Sequence, residues 1–334
     1  MPSRDEPASY SPAHGAGSQP PAGGSVTLPP GLTIIHAGEN LRRIALALLL
    51  TGRTRGADAS VDQFLIFARN HHMTLDRFWL ALDEENQPVS AALIVAAPGR
   101  AGMLFLSPVL RDQDIPTAAA MVRYASQPAH VQDLAMVQML LDPHQQREYH
   151  AVLQADFTLL ARLQYMRRRV ERSQGPLQLP DGMEVVHWSE ENRSLFGDAI
   201  LASYQDTLDC PGLLGLRQID DIIAGHMSAG EFIPRLWHVV HHQRQPVAVM
   251  LLSPLASRDA MELVYLGLAP GWRGQGLARK LMHYAIGVSS EYGAREILLA
   301  VDENNTPALK LYQSLKFTPT ARKLAMLRAV IKTA

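Results

Sequence analysis

A single cysteine, Cys210, stands in 334 residues, so no disulfide closes within the chain and no cysteine-based zinc cluster forms. That usage suits a reducing compartment, and the expected location is the cytoplasm. Net charge is equally scarce: 31 Lys and Arg against 32 Asp and Glu leave −1 at pH 7, which gives no basic field to hold a nucleic acid. The locally basic Arg167-Arg168-Arg169 reads as a solvated strand edge rather than a phosphate track. No apolar run is long enough to span a membrane, so no membrane partner is expected. Residues 1–31 are rich in Pro, Gly, Ser and Ala; they read as a disordered tail, neither signal peptide nor anchor. A P-loop is excluded, because no Gly-Lys-Ser/Thr is present.

What is present is enough apolar sequence for two ordinary cores. Structured sequence begins near Leu32. A short strand is followed by Leu41, Ile44, Ala45, Leu48 and Leu49 at helical spacing, then by a second helix carrying Val61, Phe64, Leu65 and Ala68. Three apolar stretches, 78–82, 89–97 and 103–109, are divided by turn-forming residues, and helix, strand, helix and strand follow to residue 168. Ser173-Gln174-Gly175-Pro176 and Leu179-Pro180-Asp181-Gly182 punctuate the chain. The same order then repeats from Met183, and Gln243-Arg244-Gln245-Pro246 echoes Glu85-Asn86-Gln87-Pro88. The expected organisation is a tail (1–31), an N-terminal domain (32–172), a linker (173–182) and a C-terminal domain (183–334). Each domain should be a mixed, mostly antiparallel sheet flanked by helices: α/β in the broad sense, α+β in detail.

The most informative stretch is Glu262-Leu263-Val264-Tyr265-Leu266-Gly267-Leu268-Ala269-Pro270-Gly271-Trp272-Arg273-Gly274-Gln275-Gly276-Leu277-Ala278. It reads as a strand, a glycine-containing turn and the start of an amphipathic helix. Gly274 and Gly276 let the backbone approach a ligand closely, and the helix offers free N–H groups at the positive end of its dipole. Together these make a pyrophosphate cradle. A dinucleotide fingerprint fits poorly, since the third glycine position holds Ala278 or Leu277 and the strand follows a run of hairpins.

Arg273-Gly274-Gln275-Gly276-Leu277-Ala278, after a strand ending in Ala269-Pro270, resembles the hallmark of the GNAT superfamily of N-acetyltransferases. Asn305-Thr306-Pro307-Ala308-Leu309-Lys310-Leu311-Tyr312 is similar to the family's Asn-x-x-Ala-x-x-Leu-Tyr helix, and Phe317 follows, with Lys316 where a glycine is usual. The resemblance covers residues 183–329 and implies acetyl-CoA as cosubstrate, with direct transfer to an amine and no metal. It implies that Leu266, Gly267 and Leu268 pair with the pantetheine arm, and that Arg273, Gly274, Gln275, Gly276, Leu277, Ala278 and Arg279 hold the diphosphate. Asn305 should contact the arm or orient the loop, and Tyr312 should protonate the leaving thiolate. Glu262 corresponds to the general base of histone-type members. Simple alternation puts it on one face with Val264, Leu266 and Leu268. A strand-start Glu paired to a nearby base is the plainer alternative.

The acceptor pocket should involve the connection Tyr204-Gln205-Asp206-Thr207-Leu208-Asp209-Cys210-Pro211. Tyr204, Asp206 and Asp209 could hold a cationic amine; helix capping is the alternative for the two carboxylates. Cys210 as a nucleophile has no paired base in view, and His238, His241 and His242 read as structural. In the first half, Leu110-Arg111-Asp112-Gln113-Asp114-Ile115-Pro116 replaces the glycine-rich turn with two carboxylates, which predicts a degenerate copy that binds no donor. The tandem arrangement is similar to that of mycothiol synthase and implies a small-molecule amine acceptor. Acetylation of a protein lysine or N-terminus, or a non-catalytic acyl-CoA sensor, are the competing functions.

Overall fold

The computed structural model describes residues 27–170, 179–255 and 259–330; most of the expected tail, and residues 173–178 of the expected linker, lie outside them. The first half runs β1 (Thr33–His36), α1 (Arg42–Thr51), α2 (Asp58–Asn70), β2 (Phe78–Leu82), β3 (Pro88–Ala97), β4 (Ala101–Leu106), α3 (Ile115–Ala125), α4 (Pro128–Val131), β5 (Met136–Leu141), α5 (Gln146–Gln154) and β6 (Thr158–Arg169). The second runs β7 (Met183–His187), α6 (Arg193–Tyr204), α7 (Ile219–Met227), β8 (Trp237–His242), β9 (Gln245–Leu255), β10 (Ala260–Leu268), α8 (Leu277–Glu291), β11 (Glu296–Asp302), α9 (Thr306–Ser314) and β12 (Thr318–Ala329). The repeated order read from the sequence is present, with the short α4 added. Pro128 opens α4, where its fixed φ and missing N–H cost nothing.

The halves do not keep separate sheets. All twelve strands form one sheet in the order β1-β2-β3-β4-β5-β12-β6-β11-β10-β9-β8-β7. The last strand of each half is exchanged: β12 pairs with β5 of the first half, and β6 pairs with β11 of the second. The two exchanged strands pair with each other at the centre. Because β6 is bracketed on both sides, Arg167-Arg168-Arg169 is not a sheet edge. Arg167 reaches Glu296 at 3.6 Å, Arg168 is buried, and the three arginines rim a hollow with Lys316 and Thr318. The pairings β4–β5 and β10–β11 are parallel, and the other pairings are antiparallel, as the helical and hairpin connections require.

Two cores sandwich the sheet in the second half, and they place the site. On one face α6 and α7 lay Phe196, Ile200, Ile222 and Ile223 over Trp237, Val239, Val249 and Leu251. On the other, α8 and α9 lay Leu281, Met282, Ile286 and Tyr312 over Met250, Leu252, Leu263, Ile297 and Leu299. Each strand therefore presents apolar side chains to both sides, as a sheet covered on two faces must.

Candidate active site

β10 and β11 are parallel neighbours only over Ala260–Glu262 and Glu296–Leu298. Beyond that point they part, and Leu263–Leu268 keep only β9 as a partner. A β-bulge accompanies the parting: Leu263 stands opposite Leu252 and Tyr265 opposite Leu251, which leaves Val264 as the extra residue. The resulting cleft, about 190 Å³, is lined by Leu263–Leu268, Leu299–Val301, the 206–209 loop, Arg273, Asn305 and Tyr312 among others. One side of the β10 backbone thus faces the cleft instead of a neighbouring strand.

The bulge also changes which side chains share a face. Val264 and Tyr265 pack with α6 and α7, while Leu266 and Leu268 pack with α8 and α9. Glu262 stands opposite Ser253, whose hydroxyl donates to the Glu231 carbonyl just past α7. Glu262 is therefore on the α6/α7 side, apart from Leu266 and Leu268. Simple alternation fails because one inserted residue inverts every later position.

The turn after β10 forms the expected cradle. Gly274 and Gly276 have φ of +74° and +79°, and a β-carbon on either would meet no other atom within 4 Å. The N–H groups of Gly274, Gln275, Gly276, Leu277 and Ala278 donate to no acceptor among the described residues; the next, Arg279, closes onto the Gly276 carbonyl. Five successive donors at a helix N-terminus make a nest for an anion. Leu277 contributes only its backbone, since its side chain is buried in the core.

The two arginines are used differently from the expectation. The Arg273 guanidinium donates to the carbonyls of Leu268 (3.0 Å), Ser203 (3.0 Å), Gln205 (2.6 Å) and Asp206 (3.1 Å). It ties the end of β10 to the end of α6, with four of its five N–H donors given to backbone carbonyls. Arg279 donates to the Ser314 hydroxyl at 2.9 Å, joining α8 to α9. Asn305 caps α9 by accepting from the Ala308 N–H at 3.3 Å while lining the cleft, the loop-orienting alternative.

Tyr312 projects from α9 into the cleft, 7% exposed, with its ring 5.7 Å from Phe317. Its hydroxyl makes no hydrogen bond among the described residues. Burial, and then the nearby Asp209 carboxylate, push the phenol above its ordinary value, so it stays protonated through neutral pH. Glu262 and Tyr312 consequently approach from opposite sides of the sheet.

The acceptor loop is tied down in ways composition does not reveal. Asp209 lines the cleft, but its carboxylate accepts the Asp302 N–H at 3.2 Å, and burial raises its pKa. The Cys210 N–H in turn reaches the Asp302 carboxylate at 3.4 Å. These bonds clamp the loop to the end of β11, so Asp209 serves the backbone before any amine. Asp206 lines the cleft with φ +52°. Burial, with Asp209 and Asp302 nearby, pushes the Cys210 thiol up to about 12, which leaves no thiolate to act as a nucleophile. Tyr204 does not line the cleft; it packs edge-on against Tyr265, which does, at 5.9 Å. Tyr265 itself and Ser203, joined by a 2.8 Å hydrogen bond, were not singled out from sequence. Only the bulge brings Tyr265 to this side.

The first half repeats the parted strand pair. β4 and β5 pair over Ala101–Met103 and Met136–Gln138 and then part in the same way. Val152 occupies the place of Tyr312, counted from the preceding strand and the Phe that follows. One turn earlier on α5, the buried Glu148 carboxyl accepts the Val109 N–H at 2.8 Å, tying α5 to the end of β4. Asp112 and Asp114, held by Arg147 and Arg111, stand where the glycines stand in the second half. This half also supports the acceptor side. Leu213 and Leu216 pack on Ala101, Met136 and Leu327, and Arg100 approaches Asp221 at 3.8 Å. Gly99 lies so close to α7 that a β-carbon would come within 2.1 Å of the Asp221 carbonyl.

Among the described residues no group of three or more His, Cys, Asp or Glu is placed to hold a metal, and no helix is long and apolar enough to cross a membrane. His238 is buried, with its Nδ1 donating to the Leu236 carbonyl and the Tyr284 hydroxyl donating to its Nε2.

Residues 199–317 match the sequence model of the acetyltransferase (GNAT) family. An uncharacterized N-acetyltransferase of Mycobacterium tuberculosis is 27% identical over 125 residues, 36% of this chain and 80% of that relative. A mycothiol acetyltransferase of Corynebacterium glutamicum is 36% identical over 62 residues, 19% of this chain and only 21% of its own length. Among solved structures, a GCN5-related N-acetyltransferase from Sphaerobacter thermophilus superposes with a TM-score of 0.59 at 16% identity, covering 92% of this chain and 98% of that one. That likeness extends the fold across both halves. A parted strand pair, a backbone nest and the match to the acetyltransferase (GNAT) family model all fall in the second half, so residues 199–317 are similar to the acyltransferases of that family.

Proposed function

We propose that the chain transfers the acetyl group of acetyl-CoA to a primary amine of a small metabolite by direct attack in the cleft between β10 and β11. The observation that carries this is the run of five N–H groups from Gly274 to Ala278 without acceptors among the described residues, next to the stretch of β10 that has parted from β11. The nest suits a diphosphate and the open edge suits the amides of a pantetheine arm. Bound there, the coenzyme supplies an activated acyl thioester.

The chain's own residues supply the rest. A backbone N–H of β10 beyond the Val264 bulge polarises the thioester oxygen. On the α6/α7 side, Glu262 accepts the amine proton through a water. From the α8/α9 side, Tyr312 donates its proton to the departing sulfur. A C–N bond forms, the C–S bond breaks, and solvent returns the proton from Glu262 to Tyr312. Base and acid on opposite sides of the sheet suit this chemistry, since the amine enters from one side and the thiol departs on the other.

A small acceptor is favoured over a protein lysine because the 205–216 loop is clamped at Asp209 and docked through Leu213 and Leu216, leaving little room for an extended chain. An acyl-CoA sensor would need no unpaired phenol in the cleft. The deciding assay follows thiol release from acetyl-CoA across a panel of small primary amines and lysine peptides. Release with small amines is expected. Release with peptides alone would favour the protein acceptor, and binding without any release would favour the sensor.

A further inference from the structure

Behind Tyr265, on the α6/α7 side of the sheet, three polar side chains converge with hydrogen-bonding atoms that no described residue engages. Arg217 lies between the docked Leu216 and the start of α7, partly buried, with one guanidinium nitrogen 2.9 Å from where a Gly225 β-carbon would stand. Among the described residues it makes no hydrogen bond and no ion pair. The carboxylate that acts on it is Asp221, which faces Arg100 at 3.8 Å from the first half. Tyr204, close enough to Arg217 for each to influence the other's ionisation, has a hydroxyl with no hydrogen-bond partner among the described residues. His226, its ring 5.3 Å from that of Tyr265, has a buried Nε2 without a partner. Burial, and then Arg217, push His226 down to about 4, so it is neutral at physiological pH.

This arrangement is costly unless something occupies it. A partly desolvated guanidinium is ordinarily paired, and a buried ring nitrogen ordinarily bonded. The carboxylates that face the group are already engaged: Asp221 beside Arg100, and Asp209 on the Asp302 N–H. Two arginines against Asp221 leave a positive remainder. Tyr265 connects this cluster to the cleft, since it lines the cleft and touches both Tyr204 and His226.

We infer that Arg217, with Tyr204 and His226, recognises a carboxylate on the acceptor, so that the amine acetylated here belongs to an amino acid or a close amino-carboxylate relative. The planar fork of Arg217 matches a carboxylate. The two neutral donors complete its hydrogen bonding without adding charge, and Tyr265 lies between that group and the reacting amine. This deepens the proposed acetyl transfer and rests on it for the chemistry, though the cluster itself is a binding site that can be read without turnover.

The test has two arms. In the first, calorimetry measures binding of the twenty N-acetyl amino acids and of their C-terminal amides to the full chain with coenzyme A present. At least one acid should bind about tenfold or more tighter than its amide, and Arg217→Gln should remove that difference while Arg217→Lys keeps part of it. In the second, thiol release is compared for amino acids and the matching amides. The same preference should appear in kcat/KM, chiefly through KM. Acids and amides bound equally well, no acid bound at all, or an Arg217→Gln chain that keeps the preference would each overturn the inference. Acid-selective binding without any thiol release would instead refute acetyl transfer and leave the carboxylate site standing.

Discussion

Tyr312→Phe is expected to lower kcat by about a hundredfold or more while changing the Kd for acetyl-CoA little. The substitution removes one hydroxyl that makes no hydrogen bond among the described residues, so the packing of the ring on Phe317 should survive. What is lost is the donor to the sulfur. A phenol held above its ordinary pKa is a weak acid in the ground state. It becomes competent as the thiolate forms beside it in the same cleft, where partial desolvation raises the thiolate's own basicity. Single-turnover kinetics with saturating acetyl-CoA reads the effect directly. Unchanged turnover would remove Tyr312 as the acid, and a weakened Kd in proportion to kcat would make it a packing residue.

Glu262→Gln is expected to lower kcat/KM by about a hundredfold at neutral pH, with the deficit shrinking as pH rises. An aliphatic amine is largely protonated at pH 7, and the variant has no carboxylate to take that proton. At higher pH the free amine is supplied by solution, and the need for the carboxylate falls. Gln keeps the size of the side chain, so the sheet position opposite Ser253 and Leu298 is retained. A ratio of variant to wild type that stays constant from pH 6.5 to 9.5 would send the base role elsewhere.

The two effects differ because the two residues act on opposite sides of one parted strand pair, and that geometry was only partly legible in the sequence. The element order, the hairpins and the glycine turn were readable, since periodicity and turn chemistry are local. The exchange of β6 and β12 was not, because both are long strands with nothing local to choose their neighbours. The bulge at Val264 carries no composition signal either, yet it separates Glu262 from Leu266 and brings Tyr265 to the acceptor side. Arg273 shows a different limit. The motif marks the residue, but only the structure reveals that its guanidinium holds the α6 end rather than facing the nest. Asp206 and Asp209 divide likewise: both line the cleft, while the Asp209 carboxylate is engaged by Asp302, fixed by a contact 93 residues away in sequence. In the first half, the missing glycines pointed to a lost nest, while the Glu148–Val109 bond that ties α5 to the end of β4 is brought together only by the fold.

The central claim is that one backbone nest, at the start of α8, holds the coenzyme. Titration calorimetry of acetyl-CoA into the full-length chain, repeated with Gly276→Val, addresses it most directly. A β-branched residue at φ +79° costs about 1–2 kcal/mol in backbone strain, and displacing the nest adds to that. One molecule bound per chain is expected, with affinity in the variant reduced tenfold or more. No binding heat with wild type, two molecules per chain, or a variant that binds as well as wild type would contradict the account.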